Sequence, residues 1–183
     1  MPQHSSGEAI TIQKVTPQTP DRIEVKSTAF KAGAPIPAVH SEYGDGVSHS
    51  LSPPLTWTRH PDAQAYALIV EDPDAPKPEP VVHWIAWNIP SDTTSLPQGV
   101  HSAPELETPE GMIQGKNVAG KHGYYGMKPP DGDGPHRYHF QVFALSEPID
   151  MGPETPFVEV VDALKARVLA EGELIGTFER RTQ

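Results

Sequence analysis

Residues 65–90 read AYALIVEDPDAPKPEPVVHWIAWNIP, and the way this stretch divides decides the fold. Ala65–Asp72 (AYALIVED) and Val81–Pro90 (VVHWIAWNIP) are rich in aromatic and β-branched residues and have the length of strands. The eight residues between them, PDAPKPEP, hold four prolines, which neither continue a helix nor donate to a sheet ladder. The run from Glu71 to Trp84, EDPDAPKPEPVVHW, therefore admits three readings: a linker, a metal-binding loop, or one wall of a binding site. Its short span between two core strands removes the first.

The same rhythm extends outward. IEVKSTAF, KAGAPIP, the polar EYGDGVSHSLSPPLTW and the strong strand HRYHFQVFAL at His136–Leu145 alternate strand-like runs with turn clusters, the pattern of an all-β sandwich. The long glycine-rich connection Ser91–Pro135 is expected to be functional or to carry structure of its own. One helix is expected after Pro153, with Thr155 as its N-cap and Pro156 as its first residue. Phe157, Val160, Val161, Leu164 and Val168 recur on one helical face. Beyond Gly172, ELIGTFER returns to period two and reads as a closing strand with Leu174 and Phe178 in phase. The fold class is mainly β, an antiparallel sandwich with one or two peripheral helices. Residues 1–20 form an N-terminal tail, loose or laid over the surface and without chemistry, and residues 21–183 form a single domain.

Strand periodicity sorts the polar residues, because alternate side chains face opposite sides of a sheet. Asp72 is in phase with Tyr66, Leu68 and Val70; His83 with Ile85, Trp87 and Ile89; His136 and Tyr138 with Phe140, Val142 and Ala144. Three strands thus end an inward-facing apolar series with polar groups. If those ends cluster, Asp72, His83, His136 and Tyr138 line a small polar pocket. Arg137, His139 and Lys121 read as surface or salt-bridge residues, Asp74 as a turn former, and Trp57, Trp84 and Trp87 as packing.

Composition bounds the function. The 183 residues, with 22 prolines and 15 glycines, suit a loop-rich domain with a real core. The absence of cysteine excludes disulfides, thiolate metal sites and thiol nucleophiles. A formal charge of −10 opposes binding to nucleic acid and to anionic membrane surfaces. No apolar run approaches the length of a membrane span, and the first residues lack the pattern of a signal peptide, so the expected address is the cytoplasm.

SPPLTW (Ser52–Trp57), EDPDAP (Glu71–Pro76), HWIAWNIP (His83–Pro90) and GPHRYHFQVFAL (Gly134–Leu145) occur in an order and at a spacing that resemble the phosphatidylethanolamine-binding protein family, in its bacterial Raf-kinase-inhibitor-like branch. LAEGELIGTFER, Leu169–Arg180, looks like that branch's ending, and the resemblance covers about residues 23–180. It implies a sandwich of antiparallel sheets with an anion pocket, whose Asp, His, His and Tyr fall on Asp72, His83, His136 and Tyr138. Pro76 and Pro130 match prolines at the pocket rim, and Ala75–Pro76 is a candidate cis peptide. Two places depart from the family's pattern: NVAG at Asn117–Gly120, where Val118 supplies no carboxylate, and GMKPP at Gly126–Pro130, where Met127 and Lys128 change the rim.

The expected function is non-enzymatic binding of a small anion or phosphate monoester head group, without metal or other cofactor. The competing readings are a hydrolase or metal-dependent enzyme using the same residues, and control of a signalling protein by contact. The chain shows no GxSxG and no HExxH. By resemblance to bacterial relatives a homodimer is expected.

Overall fold

The computed structural model describes residues 6–44 and 50–181. Residues 1–5 of the tail and 45–49 of the EYGDGVSHSLSPPLTW turn cluster lie outside this part. In chain order the elements are α1 (Thr11–Lys14), β1 (Val25–Lys26), β2 (Leu55–Trp57), β3 (Ala65–Asp72), β4 (Val81–Pro90), β5 (Ser95–Leu96), β6 (Ile113–Gln114), β7 (His136–Leu145), α2 (Phe157–Lys165) and β8 (Val168–Phe178).

All strand pairs are antiparallel, in a five-stranded sheet ordered β6-β4-β3-β7-β8 and a three-stranded sheet ordered β1-β2-β5. The main core lies between the sheets. Val25, Leu55, Trp57 and Leu96 meet Tyr66, Leu68, Val70, Trp84, Tyr138, Phe140 and Val142 there. A second core covers the back of the larger sheet, where Ala67, Ile69, Ile85, Trp87 and Phe143 pack under Val160, Val161 and Leu164 of α2. β3 is buried on both faces, which is why AYALIV is a continuous apolar run rather than an alternating one.

Several boundaries differ from those expected. The IEVKSTAF run pairs only at Val25–Lys26. Pro156 is the cap of α2 and Phe157 its first residue; the Thr155 hydroxyl turns back to the Gly152 carbonyl, 2.8 Å away, instead of capping. α2 ends at Lys165, and Val168 opens β8, five residues before the expected closing strand. Val168 fits the helical spacing because strand and helix deliver their apolar residues to the same core. The described part of the tail is packed, not loose. Ile10, Thr11 and Val15 are buried; Thr11 donates from its backbone and its hydroxyl to Glu71 Oε1, and the Ile12 amide donates to Gln141 Oε1. Apolar and hydrogen-bonding residues at the spacing of a single helical turn hold this segment on the back of β3 and β7. Among the described residues the cis peptide is Thr108–Pro109, not Ala75–Pro76.

β4 carries two register shifts against β3. Tyr66 pairs with Ile89 but Leu68 with Ala86; Val70 pairs with Trp84 but Glu71 with Val82. Each shift places one extra residue in β4, and a bulge of this kind resets the alternation of the strand. Asn88, at the first, takes the left-handed φ of 55°. His83 sits at the second.

Candidate ligand-binding site

The end of β3, the start of β4 and the start of β7 meet where the proline-rich turn 73–80 and the loop 118–130 close over the sheet. They enclose a cavity of about 340 Å³. Asp72, His83, His136, Tyr138, Pro76 and Pro130 all line it, together with Ala75, Lys77, Val81, Val118, Ala119, Tyr125, Lys128 and Pro129. β7 alternates without interruption, so His136 and Tyr138 arrive with Phe140 and Val142 as their phase requires. His83 arrives by the bulge. Ile85 and Trp87, with which its spacing groups it, lie on the back of the sheet, whereas Val81, Trp84 and Ile89 share its front face.

The floor is polar and tightly arranged. His136 Nδ1 lies 2.8 Å from Asp72 Oδ2, and Nε2 lies 2.5 Å from Asp133 Oδ2. Both acceptors are carboxylates, so the ring is a donor on both sides and is held as imidazolium. Burial pulls its pKa down, but hydrogen bonds and charge from Asp72, then Asp133, outweigh burial and raise it. Asp72 Oδ1 accepts the Asp74 amide at 2.7 Å, which fixes the turn after β3. His83 differs from His136. Its Nδ1 donates to the Tyr125 carbonyl at 2.8 Å, and burial lowers its pKa against the opposing pull of that bond and of Asp72. His83 is therefore neutral, with Nδ1–H committed and Nε2 left as an acceptor. The Tyr138 ring stands edge-on to His83 at 5.3 Å between centroids. Its hydroxyl is buried and has no hydrogen-bond partner among the described residues, and burial raises its pKa so that it stays protonated.

Two carboxylates of this region escape sequence reading. Asp133 lies in a glycine-flanked loop that carries no periodicity. Asp74, fully buried, is more than a turn former: its oxygens receive Arg137 Nη2 at 2.7 Å, Nε at 2.9 Å and the Arg137 amide at 2.8 Å. This pair ties the proline-rich turn to β7 beside the cavity. Burial pushes the Asp74 pKa up, and hydrogen bonds and charge from Arg137 more than reverse this, leaving it below the usual carboxylate range. The lowered pKa means that the pair's stabilisation is present above the unfolded carboxylate pKa and is lost as pH falls through the lower folded value. Arg137→Ala is expected to cost about 2–3 kcal/mol at pH 7, less than breaking a fully buried pair because the guanidinium is half exposed. Urea denaturation at pH 7 and pH 4 checks it. The deficit should shrink at pH 4, where the isolated Asp74 takes up a proton, and a deficit constant across pH would show that Asp74 does not carry the effect.

Among the described residues no group of three or more His, Asp or Glu is placed to hold a metal ion, and no helix is long and apolar enough to cross a membrane. The architecture defines a β-sandwich with a ligand-sized cavity, polar at its floor and apolar at its walls, at the end of its larger sheet. The profile of the family described as phosphatidylethanolamine-binding protein matches residues 26–179, and the chain belongs to that family. A UPF0098 protein of Methanothermobacter thermautotrophicus is 38% identical over 159 residues, covering 86% of this chain and 99% of that one. The crystal structure of E. coli YbcL, described as a new member of the mammalian PEBP family, matches with a TM-score of 0.78 at 33% identity, covering 87% of this chain and 99% of its own. A Mycobacterium tuberculosis protein bearing a provisional lipoprotein name, LppC, is 34% identical over 173 residues, covering 94% of this chain and 80% of that one.

Proposed function

We propose that the cavity binds a small oxyanion, a phosphate monoester in its monoanionic form, without catalysing a reaction on it. The observation that carries this is the buried Tyr138 hydroxyl, without a hydrogen-bond partner among the described residues, beside a neutral His83. A lone donor next to a lone acceptor fits a group that both accepts and donates. A monoanionic phosphate offers P–O⁻ to Tyr138 and P–OH to His83 Nε2. His136 takes no direct part, since Asp72 and Asp133 occupy both of its nitrogens; it sets the charge of the floor. Against the hydrolase alternative, His136 and Asp72 are bonded to each other rather than turned toward a substrate. Cytoplasmic residence, a homodimer and contact with a signalling partner belong to the same proposal, and the LppC name of a relative is a reason to test the first of these directly.

The charged and titratable groups facing His83 are Asp72 from β3, His136 and Tyr138 from β7, and Glu42 and Tyr125 from the loops. Of these, Asp72 and His136 form a pair whose charges offset each other, so the pH response falls to His83 and the ligand. The second phosphate pKa is about 6. Affinity for methyl phosphate is therefore expected to be at least tenfold higher at pH 5.5 than at pH 8 by calorimetry, with one proton taken up on binding above pH 7. His83→Ala should remove the pH dependence and weaken binding at least tenfold at pH 5.5. A wild-type affinity that is flat with pH, or is unaltered by the substitution, would sink the reading.

A further inference from the structure

We infer that the cavity selects oxyanions carrying an apolar body and rejects head groups carrying an ammonium, a preference that rests on the phosphate reading of its floor. Above His83 and Tyr138 the walls are Ala75, Pro76, Val81, Val118, Pro129 and Pro130. Three of these six are prolines with fixed φ, so the walls are stiff as well as apolar. The volume, about 340 Å³, falls in the range of pockets that take drug-sized molecules and exceeds what a phosphate needs.

An ammonium group finds no free carboxylate among the described lining residues. Asp72 is the one carboxylate among the described lining residues, and both its oxygens are engaged, Oδ1 by the Asp74 amide and Oδ2 by His136. The mouth carries Lys77 and Lys128, both exposed, which repel a cation and attract an anion. Burying an unpaired ammonium against valine and proline is costly, whereas an aryl or alkyl body gains from the same walls.

Val118 is the residue that tips this balance. The loop holding it is pinned on both sides: Asn117 Oδ1 accepts the Ala119 and Lys121 amides, Asn117 Nδ2 donates to the Gly123 carbonyl, and the Val118 amide donates to Val82 of β4. The loop is thus set by Asn117 and by backbone, and the 44% exposed Val118 side chain is free to be apolar or charged without disturbing it. An aspartate there would supply the carboxylate that the wall lacks.

The test is calorimetry at pH 6 with phenyl phosphate, phosphoethanolamine and inorganic phosphate, on the wild type and on Val118→Asp. Phenyl phosphate is expected to bind the wild type at least tenfold more tightly than phosphoethanolamine, and the gap should close to threefold or less in Val118→Asp. If all three bind the wild type with similar affinity, the selectivity is overturned while the phosphate reading stands. If none of the three binds, the phosphate reading itself falls and the selectivity with it. A gap left unchanged by Val118→Asp overturns the role of Val118.

Discussion

Gly172→Ala is expected to destabilise the protein by about 4 kcal/mol or more, lowering the melting temperature by roughly 10 °C. A Cβ at residue 172 would sit 1.6 Å from the Ile23 carbonyl oxygen and 2.6 Å from its carbon. Those atoms are backbone, and the Ile23 amide is bonded to the Glu171 carbonyl at 3.1 Å, so the two chain segments cannot separate without losing that bond. The buried Ile23 and Val25 would be drawn out of the main core together. Gly176→Ala is the internal comparison. The three atoms nearest its Cβ would be side-chain atoms of Ile36 and Phe30, at 2.5–2.8 Å, and repacking should hold its cost to about 1–3 kcal/mol. Denaturant midpoints with unchanged m-values would measure both. A Gly172→Ala deficit below that of Gly176→Ala would show that Ile23 does not lie against β8 in solution.

His136→Ala should have a cost of similar size but with a distinctive pH profile. The substitution leaves Asp72 and Asp133, both buried, without the cation they share, and removing one partner of a buried ionic group costs about 3–5 kcal/mol. The folded pKa of His136 is raised, so its contribution is fully present below the unfolded histidine value of about 6.5 and is lost as pH rises through the higher folded value. The deficit of the variant is therefore largest below about pH 6.5 and smaller at pH 7. It shrinks further at alkaline pH, as the wild-type imidazolium loses its proton. Equal deficits at pH 5, 7 and 9 would mean that the ring acts by packing alone.

The parts of this architecture that sequence reveals are those where one physical rule acts alone. AYALIVED is legible because β3 is covered on both faces, and HRYHFQVFAL because β7 alternates without a break. His136 and Tyr138 follow from counting along that strand. His83 is different: counting by twos picks it out, yet assigns it to the face of Ile85 and Trp87, which is the back of the sheet. A bulge carries it to the front, and bulges leave no mark in hydrophobic pattern. Asp74 and Asp133 show a second kind of silence. Each is explained by a partner on β7, Arg137 or His136, and before the chain is folded Asp74 is indistinguishable from an ordinary turn residue. The end of α2 shows a third, since Val168 serves the same core from a strand that it would have served from another helical turn.

The bulge at His83 also makes the cavity sensitive to chain length in a way that side-chain chemistry does not reveal. Val70 faces Trp84 and Glu71 faces Val82, so His83 is the surplus residue between two matched pairs. Deleting Val82 would let the ladder close with even alternation: the tryptophan and everything after it would keep their places, and the imidazole would take the position opposite Glu71, pointing away from the cavity. A single-codon deletion there would leave the main core in place yet blind the floor, which a conservative substitution at a neighbouring position would not do.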